Sequence, residues 1–510
     1  VHVWARQRLN SRAKRAKIEE AVIICGQLYK KQHDKQPSQW TFERRIWTHI
    51  LSLHSYLVTL PVSSDEIYER EGLLDAAANV GRIFNDHGHQ NQGISILQWT
   101  LAAQEHILDS DHLSTLATTT SLADEFRKNG KVDRALDWYQ RALDGFHKTL
   151  GSDHPSTLET VHNMANVFQA QGEYDKALEW YQRALDGREK TLGEDHPSTL
   201  STVNNMAIVF KAQGEYDKAL EWYQRALDGF EKTLGKYHLS TVETVNNMAN
   251  VFQAQGEYDK ALEWYQRALD SHKKTLGKDH LSTLETVHNM AIVFKAQGEY
   301  NKALEWYQWA LDGFEKTLGK DHPSTLSTVN NMAIIFEAQG EYDKAFEWYQ
   351  RALDGREKTL GEDHLSTLET VHNMADVFQA QGEYDKALEW YQRALDGREK
   401  ILGKDHLSTL PTVHNMANVF EEQGEYDKAF EWYQRALDGC EKILGKDHLS
   451  TLTTVHNMAI VFQAQGEYDN ALEWYQRALD GREKILGKDH HSTRQTARCM
   501  TNLRSRMSLA

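Results

Sequence analysis

The chain repeats itself every 42 residues with nothing inserted: Ser156, Ser198, Ser240, Ser282, Ser324, Ser366, Ser408 and Ser450 each open a copy of one unit. A strict period of this length restricts the fold more than any local propensity. One unit cannot bury its own apolar face, so units must stack and share a core. One period earlier Ser114 opens a diverged unit that keeps DWYQRALDG, and Gly72–Leu113 forms a more degenerate one, giving ten units over residues 72–491.

Each unit reads as two helices. In the copy at Ser156, Val161, Met164, Ala165 and Phe168 fall at i, i+3, i+4 and i+7, the apolar stripe of a helix A. Gly172 breaks the pattern. Ala177, Tyr181, Ala184 and Leu185 then restore a 3.6-residue stripe, helix B, ending near Leu192-Gly193 with glycine as the expected stop. Ser156-x-x-Glu159 has capping-box spacing, so Ser156 is the expected N-cap, with Asp153 as competitor. The tail Ser492–Ala510 departs from the pattern and carries Arg494, Arg498, Arg504 and Arg506, as expected of a solvent-facing helix that caps a stack.

Composition narrows the setting. A net charge of −16 argues against a general binder of nucleic acid or anionic membrane, both of which attract basic surfaces. No apolar run approaches bilayer length, and residues 1–9 lack the apolar core of a signal peptide. Cys25, Cys440 and Cys499 are odd in number and widely scattered, which suggests neither a disulfide framework nor a paired-cysteine metal site and points to a reducing, cytoplasmic compartment. The chain opens on Val1 in text that reads as mid-domain, so a longer protein is expected.

Three motifs imitate active sites. DHPST and DHLST place Asp, His and Ser side by side, as at Asp321, His322 and Ser324, but a catalytic triad converges from separate segments onto an oxyanion hole. A loop and a cap explain these residues better. Gly313–Asp321 resembles a phosphate loop, yet five residues separate Gly313 from Gly319 and Asp321 stands where a hydroxyl is needed. Zinc needs three or four ligands converging within about 2–2.3 Å, whereas His162, His288, His372, His414 and His456 come one per repeat. No enzyme, metal or cofactor is expected. Tyr181 belongs to the core stripe, and Trp180, about 100° round the helix, is expected to pack on the next repeat.

Helix A carries the remaining signal. The frame of VHNMANVF is kept in eight copies while four positions vary: those of Glu159, His162, Asn166 and Gln169, spaced 3, 4 and 3 and so aligned on one flank turned away from the apolar stripe. The first varies among Glu, Ser, Pro411 and Thr453. Along the chain the other three read Asn204, Ile208 and Lys211; Asn246, Asn250 and Gln253; His288, Ile292 and Lys295; Asn330, Ile334 and Glu337. They continue as His372, Asp376 and Gln379; His414, Asn418 and Glu421; then His456 and Ile460. Helix-B positions such as Arg188, Phe230 and Cys440 also vary, whereas Asn163 has an asparagine equivalent in every full unit and is expected to be structural.

The spacing of Met164, Ala165, Phe168, Gly172, Tyr174, Ala177, Tyr181 and Ala184 resembles the tetratricopeptide (TPR) pattern, lengthened to 42 residues as in kinesin light chain repeats by an extended helix B and the GxDHP/L loop. The resemblance implies an all-α, right-handed superhelical solenoid of helix-turn-helix repeats, with the variable flank lining a concave groove that binds a protein or peptide. Repeated amides and imidazoles would hydrogen-bond an extended backbone, and Ile208, Ile292, Ile334 and Ile460 would supply apolar pockets.

The opening VHVWARQRL resembles the end of the winged-helix region of NB-ARC (STAND, NLR-like) signalling ATPases, whose fungal and bacterial members often carry such arrays at the C-terminus. On that resemblance residues 1–71 are a helical linker and the array is the ligand-sensing part of a signalling or innate-immunity receptor, the fragment monomeric and the full-length protein able to oligomerise. The alternative is a cargo adaptor like kinesin light chain, which would place a heptad coiled coil before the repeats; residues 1–71 show no sustained heptad.

Overall fold

The computed structural model describes residues 71–86 and 89–508. Among them are twenty-one α-helices and no strand. By packing, the chain divides into two compact units, Val1–Trp264 and Tyr265–Ala510. The expected linker lies, apart from Glu71, outside the described residues.

Within each unit helix pairs stack in tandem. In the Ser156 repeat helix A is Pro155–Ala170 and helix B Tyr174–Leu192. Pro155 suits the first helical position, where its missing N–H costs no hydrogen bond. The cap differs from expectation: His154, not Ser156 or Asp153, is the N-cap, with φ −70 and ψ 142 and its Nδ1 accepting the Ser156 N–H at 3.2 Å. A neutral imidazole does here what a serine oxygen does elsewhere. Asp153 instead accepts from Lys190 of helix B at 2.5 Å, and the Thr157 hydroxyl donates to the Gly151 carbonyl at 2.8 Å. Each polar residue of the DHPST segment thus has a structural partner.

Gly172 turns the chain between the helices with φ of 75, a backbone region that costs other residues strain. Helix B then lies so close to helix A that a Cβ on Gly187 would stand 2.4 Å from Leu158 Cδ2. The cores explain why no repeat stands alone. In the first unit Ala165, Tyr181 and Leu185 pack with Leu200, Val203 and Met206 of the following repeat. In the second, Ala291, Tyr307 and Leu311 pack with Val329, Met332 and Ile335. Trp180 is half-buried; it touches the core shared with the next repeat, as expected, and also stacks on Phe168 of its own helix A, ring centres 6.0 Å apart.

Two places break the regularity. Helix A of the Ser408 repeat is shortened to Leu410–Glu422. Proline at position 411 lacks the N–H that would bond the preceding turn and disfavours helical backbone at Leu410, so the first turn unwinds. The final helix, His491–Met507, buries Thr493, Thr496, Met500 and Leu503 and leaves its arginines 494, 498, 504 and 506 exposed.

Candidate functional site

A constant threonine organises the seam between successive helices A. Thr202, fully buried, stands 3.3 Å from His162 Nδ1 of the preceding repeat and accepts from Arg188 Nη1 at 2.8 Å. Asn205 Nδ2 faces His162 Nε2 at 3.3 Å and donates to Asn166 Oδ1 at 3.1 Å. The imidazole lies edge-on to Tyr181, ring centres 5.2 Å apart.

The second unit repeats this clasp. His288 meets Thr328 at 3.0 Å, His372 meets Thr412 at 3.2 Å, His414 meets Thr454 at 3.2 Å and His456 meets Thr496 at 3.3 Å. Where the position is asparagine the threonine donates instead, from Thr244 to Asn204 and from Thr370 to Asn330, both at 3.2 Å.

The His/Asn series therefore lies deeper than a flank turned away from the core. His162, Asn330 and His456 are buried, while Asn204, Asn246, His288, His372 and His414 are half-buried. Burial, with a contribution from Arg188, lowers the His162 pKa to about 3. Burial likewise brings His372 to about 3, and His288, His414 and His456 to about 4. The imidazoles are neutral, with one donor and one acceptor nitrogen: the Asn205 amide donates to His162 Nε2, so His162 Nδ1–H donates to the Thr202 hydroxyl, whose own proton goes to the Ser198 carbonyl.

The third and fourth series flank the core tyrosine. Tyr181 donates to Asn166 at 2.5 Å and lies 2.7 Å from Gln169, and Tyr433 is placed the same way against Asn418 and Glu421. Tyr391 pairs with Asp376 and, at 2.9 Å, Gln379; Tyr349 pairs with Glu337 at 2.7 Å. In the Ile292/Lys295 repeat Tyr307 lies near Asn331 but completes no hydrogen bond. Ile292, Ile334 and Ile460 are half-buried against neighbouring cores, and Ile208 is half-buried too, so they extend the core more than they form separate pockets. Burial raises Glu337 to about 7 and raises Asp376 and Glu421, while it lowers Lys211 and Lys295. Asn250 and Gln253 take the equivalent places in the Ser240 repeat.

The first series points elsewhere. Glu159 is exposed and meets a residue the helix-A reading left out: Arg188 of helix B, only 4% exposed, with Nη2 at 3.5 Å from the Glu159 carboxylate and Nη1 donating to the Ser198 carbonyl at 2.8 Å. Its equivalents are Phe230, His272, Phe314, Arg356, Arg398, Cys440 and Arg482. The signal was present as variation at that position, but a helical wheel of one repeat sets it at the edge of the core stripe.

Clefts open where these positions meet. A cavity of about 400 Å³ is walled by Glu285, His288, Phe314, Ser327, Arg356 and Glu369, all from the variable positions. A second, of about 370 Å³, takes Pro411, His414, Cys440 and Thr453 from the same positions. The site thus gathers the Glu159 and His162 series with the helix-B residue, and leaves the Asn166 and Gln169 series around the tyrosine hydroxyls. Among the described residues no group of three metal-ligating side chains comes together, and no helix is long and apolar enough to cross a membrane.

Stacked helix pairs with this repeating core match the tetratricopeptide repeat model in overlapping segments spanning 114–232 and 240–503, so the chain belongs to the tetratricopeptide repeat family. Among solved structures, the apo form of the quorum sensor NprR from B. thuringiensis shares the fold at 14% identity, covering 74% of this chain and 99% of that one, with a TM-score of 0.50. A Podosopora anserina structure described as kinesin light chain nearly identical TPR-like repeats is 28% identical over 40% of this chain and 96% of its own, with a TM-score of 0.35. BtubC (BKLC) from P. vanneervenii is 21% identical over 48% of this chain and 92% of its own, with a TM-score of 0.37. A search of curated proteins found no match.

Proposed function

We propose that the array is a non-enzymatic scaffold that holds a protein or peptide along the helix-A seam, reading it with the Glu159 and His162 series and with the Arg188 series of helix B. One observation carries this reading: three of the positions that differ between otherwise near-identical repeats, those of Glu159, His162 and Arg188, meet in the walls of the clefts beside constant residues. Constant residues, Thr202 and Asn205 among them, hold those walls in place. The finer reading is the sensor array of an NB-ARC-type receptor in the cytoplasm. It rests on the nine-residue resemblance at Val1–Leu9, which lies outside the described residues.

The test uses a synthetic random heptapeptide pool passed over the immobilised chain, with bound peptides sequenced. Exchanging His288→Asn with Phe314→Arg, both residues native to sister repeats, changes the selected sequences while the melting temperature stays within a few degrees. The same peptides selected by both chains, or none retained by either, would sink the assignment.

A further inference from the structure

The cleft of the Ser408 repeat differs in chemistry from its neighbours. In the larger cavity, phenylalanine occupies the helix-B position and glutamates stand at the rim: Phe314, Glu285 and Glu369. In the smaller one, cysteine takes the place of phenylalanine or arginine, and proline the place of glutamate. Neither residue is charged or aromatic, and the lining is mostly apolar. Cys440 is small and leaves the volume that Phe230 or Phe314 fills, and Pro411 unwinds the first helical turn. The walls that remain are Leu407, Leu410, Leu444 and Leu449. Leu407, in the unwound segment, is 45% exposed at the edge of this space.

The mouth is polar and carries an unbalanced charge. The exposed Ser450 and Thr453 bring hydroxyls to it, that of Thr453 donating to the Leu449 carbonyl at 2.9 Å. Behind Thr453 stands Arg482, 5% exposed, with Nη2 donating to the Thr453 hydroxyl at 3.3 Å and Nη1 donating to Thr496 at 2.7 Å and to the Ser492 carbonyl at 3.2 Å. Arg188 has the same pattern of partners, except that its Nη2 faces the carboxylate of Glu159. Thr453 replaces that glutamate, and no carboxylate is paired with Arg482 among the described residues. A buried guanidinium whose hydrogen-bond partners, two hydroxyls and a carbonyl, are all neutral favours an anion brought near it.

We propose that this cavity binds an aliphatic carboxylate, its hydrocarbon chain among Leu407, Leu410 and Leu444 and its carboxylate at Thr453 in the field of Arg482. The volume of about 370 Å³ is near the lower end of the usual range of about 300–1,000 Å³ for small-molecule sites, so a short aliphatic acid has room in it. The same chemistry comes from a free short-chain acid or from a peptide in which an aliphatic side chain adjoins an acidic one. The site stands on this cavity alone and does not require that the rest of the seam bind peptide.

Binding to the whole chain is measured by ligand-observed NMR and calorimetry, with hexanoate, 1-hexanol and acetate as probes. Hexanoate is expected to bind about tenfold more tightly than either of the others, since each lacks one half of the recognition. Cys440→Phe, the residue native to three sister repeats (Phe146, Phe230 and Phe314), fills the cavity and removes hexanoate binding without lowering the melting temperature. Thr453→Glu restores the missing carboxylate and reverses the preference, so that 1-hexanol binds better than hexanoate. A seven-residue peptide with adjoining Leu and Asp, titrated in parallel, identifies the source: tighter than hexanoate for a peptide, weaker for a free acid. Hexanoate that binds no better than 1-hexanol, or equally to the Cys440→Phe chain, overturns the proposal, and neither result bears on whether the heptapeptide pool is read elsewhere along the seam.

Discussion

The Lys273 ammonium lies 4.5 Å from the centre of the Trp309 ring. Neighbouring junctions place an ion pair in these two positions: Arg351 with Glu315, Arg393 with Glu357, Arg435 with Glu399. Glutamate has become lysine and arginine has become tryptophan, so a salt bridge between successive helices B is replaced by a cation over an aromatic face. Trp306, 5.5 Å away, stacks on the same ring.

The exchange works only as a pair. Trp309→Arg alone sets two cations against each other and should cost about 1 kcal/mol. Adding Lys273→Glu should recover most of it. A double-mutant cycle by chemical denaturation measures the coupling, and additive single effects would show that the two residues do not interact.

Protonation should loosen the seam. The His162, His288, His372, His414 and His456 pKa values of about 3–4 lie below the ordinary histidine value near 6.5, so their neutral forms are bound in the fold. Stability from these groups is complete above pH 6.5 and is lost as pH falls toward 4. Glu337, raised to about 7, acts oppositely: its contribution is complete below 4.5 and is lost as pH rises through 7. Arg188, Lys295, Arg398 and Arg482 lie beside four of the imidazoles and deepen the effect. Replacing all five histidines with asparagine, the residue native at 204 and 330, isolates the histidine share. The parent should lose more melting temperature than this variant between pH 7 and pH 5, and parallel curves would refute the assignment.

Two tyrosines at equivalent positions of different repeats should respond differently to losing a hydroxyl. Tyr181 is bonded to Asn166 and Gln169, and Tyr307 completes no bond. Tyr181→Phe should destabilise by about 1–2 kcal/mol, and Tyr307→Phe should be neutral or mildly stabilising. Thermal unfolding of the two variants decides between this and a uniform cost.

Pro411→Glu should rebuild the missing turn. In hydrogen exchange, amides at 407–411 gain protection, and helicity rises by about one turn, or 3.6 residues. No gain in protection would mean that Leu407 is held out of the helix by something other than proline.

How far the sequence carries is seen in these same residues. Period and apolar spacing suffice for the helix pairs, since Val161, Met164, Tyr181 and Leu185 depend only on local geometry. His154 was not legible as a cap: capping preferences favour short oxygen-bearing side chains, and a neutral imidazole earns no weight in them. The depth of His162 was not legible either. It depends on Thr202 and Asn205 of the next helix A, and so on the angle between repeats, which a wheel drawn for one repeat omits. Arg188 could be seen to vary but not to face Glu159.

The seam also bears on how such a chain changes over generations. A varying residue such as His162 or Asn330 reaches forward to a threonine that the next copy always supplies. Arg188, Arg356, Arg398 and Arg482 do the same. A copy inserted, deleted or moved by unequal recombination therefore meets an acceptable neighbour on arrival. Lys273 and Trp309 depart from this: they belong to different copies and make sense only together, so a crossover between them strands both. The array behaves as interchangeable parts, keyed where such a pair spans two copies.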